Sequence, residues 1–250
     1  MKGFFKGVGL LALLALAFGA GYLYPILNRP PLVLHQDAVV AGVPREGVRV
    51  RWREEAGGFI DIVPAAGADT LLILYPGGLV RPQAYEWLGV ALAPRGVRTV
   101  IPAFPFDLAV LRPNRAAALL EAFAVDPTTR VVLGGHSLGG AMAARFAARR
   151  PDALDALVLM GAFSAEGDDL SAAPLDVLVL AAEHDGLATL AEVRSGLGRL
   201  PPSAELVVIG GAVHSFFGRY GPQRGDGLPT TTRSAAEAQI TAALGAFLAR

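Results

Sequence analysis

Thr129–Ala148 reads TRVVLGGHSLGGAMAARFAA, and the fold is decided there. The apolar, β-branched run Arg130–Gly134 predicts a short strand buried on both faces. It ends at Gly134-Gly135, and the alanine-rich stretch Gly139–Arg149 predicts a helix. Between the two, Gly135-His136-Ser137-Leu138-Gly139 fits the pattern G-x-S-x-G. The pattern has a mechanical basis. A serine on a sharp, strained strand-to-helix turn projects its hydroxyl above the sheet edge, and side chains at the flanking positions would clash there. Gly135 and Gly139 relieve that crowding, and Ser137 is the candidate nucleophile. The helix that follows favours an anion at its N-terminus, with the N–H of Leu138 directed at it.

Outward from this segment, apolar runs of strand length alternate with helical ones. Val48–Arg53 and Gly58–Val63 alternate apolar and polar residues around Gly57-Gly58 and predict an antiparallel hairpin. Thr70–Tyr75, Val97–Pro102, Leu157–Met160, Val177–Ala182 and Leu206–Ile209 are further buried-strand runs. Gln83–Ala93, Arg115–Ala124, Ala188–Leu200 and Ser234–Leu248 are helical stretches between or after them. Such alternation predicts an α/β fold: a mostly parallel, eight-stranded sheet with helices on both faces.

A serine hydroxyl needs a base to take its proton. Of four histidines, His35 lies in a linker, His184 in another loop, and His136 should point away on the far side of the elbow. His214 follows the strand Leu206–Ile209 in the loop GGAVHSFFGRYG and is the candidate base. An acid must hold the tautomer of that base. Asp185, in Glu183-His184-Asp185-Gly186 after the strand Val177–Ala182, is the candidate, with Glu183 as its competitor. Asp107 is out of order and is expected on the surface or at a helix cap. A second N–H for an oxyanion is sought in Pro76-Gly77-Gly78-Leu79, where glycine permits close backbone approach; Gly78 and Leu79 both remain open.

The chain's ends and composition bound the rest. Its 250 residues suit one substantial domain, with apolar residues at 53% supporting a large core. Twenty-two basic and 22 acidic residues give no net charge, which removes the electrostatic case for a nucleic-acid partner. No cysteine is present, so thiolate nucleophiles, zinc fingers and iron–sulfur clusters are excluded. Lys2 and Lys6 precede Gly7–Leu27, an uncharged run of 21 residues. A positive flank before a run of this length reads as a signal peptide or a membrane anchor over residues 1–27. Ala17-Phe18-Gly19 has small residues at a cleavage spacing and Phe18-Gly19-Ala20 does not, so cleavage and anchoring both stay open. Either way the remainder is expected to face outward, extracytoplasmic, as a linker over 28–46 and a domain over 47–250.

These residues resemble the α/β-hydrolase superfamily over roughly residues 47–250. The segment from Gly211 to Gln223, then Gly225-Asp226-Gly227, is similar to the His-loop of a small bacterial group related in outline to dienelactone hydrolases, close to G-G-N-H-x-x-F-G-x-Y-G-x-Q-x-G-D-G. Val213 stands where asparagine is usual, and Ser137 where dienelactone hydrolases carry cysteine, so their substrate is not carried over. The resemblance implies a three-layer α/β-hydrolase fold and a serine hydrolase acting through Ser137, His214 and Asp185, with no metal and no organic cofactor. It implies that Tyr220–Asp226 orders the loop carrying His214. About sixteen residues separate Met160 from Val177, too few for a large cap domain. The expected partner is therefore a small-molecule or lipid ester at an open site, with Phe104, Phe106, Phe163, Phe216 and Phe217 candidates for an acyl pocket. Acyl transfer on the same triad and a non-catalytic anchored binding module are the alternatives.

Overall fold

The computed structural model describes residues 2–27 and 46–250. The chain divides into two units, Met1–Pro31 and Leu32–Arg250. In the first, α1 (Lys2–Leu27) carries its apolar residues on every face, with Leu10, Leu13, Leu14 and Phe18 exposed. Among the described residues no helix is long and apolar enough to cross a membrane. The run expected to anchor or export the chain extends beyond the described side chains. Apart from Glu46 the linker lies outside the described residues, as does His35.

The second unit is built on eight strands: β1 (Val48–Arg53), β2 (Phe59–Pro64), β3 (Thr70–Tyr75), β4 (Val97–Pro102), β5 (Arg130–His136), β6 (Ala156–Met160), β7 (Asp176–Ala182) and β8 (Glu205–Ile209). They form one sheet in the order β1-β2-β4-β3-β5-β6-β7-β8. β1 pairs antiparallel with β2, and β2 with β4. Every other pairing is parallel.

Two apolar layers explain why the central strands are apolar throughout. Leu72, Leu74, Val132, Val158, Leu178 and Leu180 face one side, against α2 (Glu86–Leu92) and α6 (Arg233–Leu248). Their neighbours Leu71, Ile73, Val131, Leu133, Leu157 and Val179 face the other, against α3 (Arg115–Phe123), α4 (Leu138–Arg149) and α5 (Leu190–Gly196). Successive side chains of a strand point to opposite faces, so a sheet covered on both sides has no polar face. Each such side chain contributes roughly 1.5–3 kcal/mol on burial. The helical stretch expected over 83–93 is broken. A 3-10 turn, Pro82–Tyr85, precedes α2, because Pro82 starts the turn and Pro94 follows the helix.

The parallel order brings the C-terminal ends of β3, β5, β6, β7 and β8 to one edge. Gly78, Ser137, Asp185 and His214 lie just beyond the ends of β3, β5, β7 and β8. Between β6 and β7, residues 161–175 hold turns and no helix, so this segment forms no helical cap.

Candidate active site

Ser137 sits between β5 and α4 with φ 52° and ψ −124°, a conformation rarely adopted by residues other than glycine. Its N–H donates to the Met160 carbonyl at 3.0 Å, which fixes the turn to β6. A Cβ on Gly139 would strike the carbonyl oxygens of Tyr75 and Pro76, and one on Gly135 would strike the backbone of Gly139. The two glycines are thus required by close approach of backbone to backbone. Strain is concentrated here. Six non-glycine residues have positive φ among the described residues, and four of them, Leu79, Phe106, Asp107 and Ser137, lie in the elbow or the two loops beside it. Such residues persist where the surrounding structure over-determines them.

Asp185 and His214 meet. His214 Nδ1 is 2.8 Å from Asp185 Oδ2, and both residues are buried. Asp185 Oδ1 accepts the N–H groups of Leu187 at 2.8 Å and Ala188 at 2.7 Å, which fixes the carboxylate. With its proton on Nδ1 for Asp185, His214 keeps a lone pair on Nε2, which is buried and has no hydrogen-bond partner. Glu183 is elsewhere: its Oε2 accepts from Gly211 N–H at 2.7 Å. His184 lies against Thr230, with Nε2 3.1 Å from the hydroxyl.

His136 does not point away from the site. Its ring is fully buried, with its centroid 4.5 Å from that of His214 and 5.4 Å from that of Phe217. Its Nδ1 is 2.8 Å from the hydroxyl of Tyr85. As the last residue of β5 its direction is set by strand alternation, and the sharp turn at Ser137 then sends the chain back over it. Burial, reinforced by the nearness of His214, holds the His136 imidazole well below its usual 6.5, and it is neutral at pH 7.

In the loop after β3, Gly77 N–H donates to Tyr85 Oη at 2.9 Å and Leu79 N–H to the Asp107 carbonyl at 2.8 Å. Among the described residues the N–H of Gly78 has no such partner. A Cβ on Gly78 would lie 3.1 Å from Leu138 Cδ2, so Gly78 adjoins the first residue of α4, whose N–H has no intrahelical acceptor. Gly78, in the loop after β3, and Leu138, in the first turn of α4, therefore offer two backbone donors next to each other. Asp107 serves this loop through its carbonyl; its half-buried carboxyl is pushed upward by burial, against the pull of Arg81.

One positioning feature, Gly161, escaped the sequence reading; a second, Asp226, lies in the segment expected to order the His-loop. Gly161, directly after β6, has φ 48°, and a Cβ there would lie 3.1 Å from both Asp185 Oδ2 and His214 Nδ1. Asp226 binds the His-loop from below, accepting His214 N–H and Ser215 N–H, each at 2.9 Å. A glycine ending a buried strand was the available signal for the first. Val213, where the resembling group has asparagine, is buried.

The phenylalanines do not act as one set. Phe104 packs edge-on against Tyr75 in the core, and Phe217 lies beneath His136. Phe216 covers the guanidinium of Arg233. Phe106 is exposed, on the loop that holds Leu79.

A model of the alpha/beta hydrolase family matches residues 71–239, a span that contains Ser137, Asp185, His214 and both donor loops. No curated protein matches the chain.

Proposed function

The chain belongs to the α/β-hydrolase family, and from that premise we propose that it cleaves carboxylic esters through an acyl-serine intermediate. Ser137 Oγ attacks the ester carbonyl carbon while His214 Nε2 takes the hydroxyl proton. Asp185 holds the imidazolium through Nδ1–H. The N–H groups of Gly78 and Leu138 receive the charge that develops on the carbonyl oxygen. Collapse of the tetrahedral adduct releases the alcohol, which leaves with the proton from His214. A water, deprotonated by the same nitrogen, then cleaves the acyl-serine and returns the carboxylic acid.

The observation that carries this reading is the buried His214–Asp185 pair at 2.8 Å, with the His214 ring 4.5 Å from that of His136, the residue before a serine in a strained elbow. Leu79 is set aside as second donor because its N–H is already bound to Asp107. The segment between β6 and β7, which forms no helical cap, favours esters that need no enclosing one. Residues 1–27 tether the domain to a membrane or direct its export, which puts the site outside the cytoplasm, in reach of small-molecule or lipid esters.

The test is a fluorophosphonate probe, with the adduct located by mass spectrometry, alongside Ser137→Ala and a p-nitrophenyl series from acetate to palmitate. Labelling of Ser137 that vanishes in the alanine variant, with ester turnover, is the expected result. A folded protein that neither labels nor turns over any ester would overturn the reading.

A further inference from the structure

We infer that Tyr85 is a positioning residue that couples the two halves of this chemistry, holding with one hydroxyl the backbone beside Gly78 and the imidazole on which His214 rests. The inference rests on the reading of Ser137 as nucleophile.

Counting protons fixes the relay. Gly77 N–H can only donate, so at 2.9 Å the Tyr85 oxygen accepts from it. The one phenolic proton goes to His136 Nδ1 at 2.8 Å, because a second donation to the oxygen, from His136, would leave that buried proton without an acceptor. His136 then carries its own proton on Nε2, which is buried, with the ring against the backbone of His214. In this form the ring is neutral beside His214. A cation there would oppose the charge that His214 gains when it takes the serine proton.

Gly77 supplies a second, independent observation. Its backbone is not left-handed, so no turn geometry calls for glycine. What excludes a side chain is the relay: a Cβ would lie 2.9 Å from His136 Nδ1 and 3.0 Å from Tyr85 Oη. The turn is pinned on both sides of Gly78, by Tyr85 at Gly77 and by Asp107 at Leu79, with the middle N–H left for a ligand. Tyr85 itself is fully buried at the end of the turn into α2. Phenylalanine would fill the same volume, and a hydroxyl buried this deeply is costly unless it is bonded.

The test compares wild type with Tyr85→Phe. The expected kcat on p-nitrophenyl acetate falls about 10- to 100-fold, because donors displaced by a fraction of an ångström act mainly in the transition state. KM stays within about threefold and the melting temperature within a few degrees, a division that loss of packing alone does not produce. Imidazole ¹⁵N spectra of the wild type should show His136 with its proton on Nε2, and that pattern should be lost in the variant. Wild-type kcat in Tyr85→Phe, or a wild-type His136 protonated on Nδ1, would overturn the inference. The wild-type spectrum decides even if the variant fails to fold. Equal probe labelling of Ser137 in both proteins defeats the role of Tyr85 alone. No labelling of the wild type defeats the nucleophile reading, and the role of Tyr85 falls with it.

Discussion

The Asp226 carboxylate holds the backbone of His214: Oδ1 accepts the His214 N–H at 2.9 Å while Oδ2 accepts that of Ser215 at 2.9 Å. Oδ1 also accepts from Gly227 at 2.9 Å and faces the N–H of Gly186 at 3.5 Å. One side chain thus clasps the loop of the proposed base to the loop of the proposed acid, since Gly186 follows Asp185. Asparagine at 226 keeps the shape but exchanges one acceptor oxygen for an NH₂ group facing an N–H. Asp226→Asn is expected to lose about 1–3 kcal/mol of stability and about tenfold in kcat. Urea unfolding and ester turnover measure the two, and an unchanged midpoint would show that the clasp contributes nothing.

Asp185→Asn isolates the tautomer. The amide can still accept from Leu187 and Ala188, so the loop should fold as before. What it cannot do is stabilise an imidazolium at His214 Nδ1. The expected loss in kcat is about 10⁴-fold, with the thermal midpoint shifted by only a few degrees. A variant that keeps a tenth of wild-type turnover would remove Asp185 from the proposed mechanism and reopen the question of which acid serves His214.

The parts of this site that local pattern makes legible are those that end an apolar run. Ser137, Asp185 and His214 each follow a strand whose length and composition are local properties, and β3 and β4 begin and end at the residues their hydropathy marks. The direction of His136 is different in kind. It depends on how tightly the chain reverses at Ser137 and on what β8 delivers above it. Tyr85 is 51 residues from the imidazole it touches, and nothing in the sequence around either one marks the pair. Glycine has two meanings that pattern does not separate: Gly161 is required by positive φ and by crowding, Gly77 by crowding alone.

Gly161→Ala tests the floor of the pair. Alanine there must adopt φ 48° and place a methyl 3.1 Å from His214 Nδ1, Asp185 Oδ2 and Phe217 Cε2. The backbone term alone costs about 1–3 kcal/mol. Relief of the contact should push the imidazole and carboxylate apart, so kcat should fall more than stability explains. Tracking the downfield proton of the Asp185–His214 hydrogen bond by NMR checks this directly. A variant with that resonance unmoved and activity intact would mean that the neighbours give way without disturbing the pair.

The neutrality of His136 sets a pH dependence of folding. Burial, then His214, hold its folded-state pKa well below 6.5, while the unfolded chain titrates near the usual imidazole value. Between those two values the unfolded state binds more protons than the folded one, so stability rises with pH across that window. Its contribution is complete above about pH 7 and is lost on acidification, at up to about 1.4 kcal/mol per pH unit. Urea unfolding at pH 7, 6 and 5 should show wild type weakening over this range. His136→Gln, which keeps a polar group towards Tyr85 and cannot take a proton, should weaken less steeply even if it starts from a lower value. The comparison cancels the other three histidines, which are common to both proteins. Parallel slopes would mean that His136 is protonated in the folded state, and the buried relay through Tyr85 would then need a different proton count.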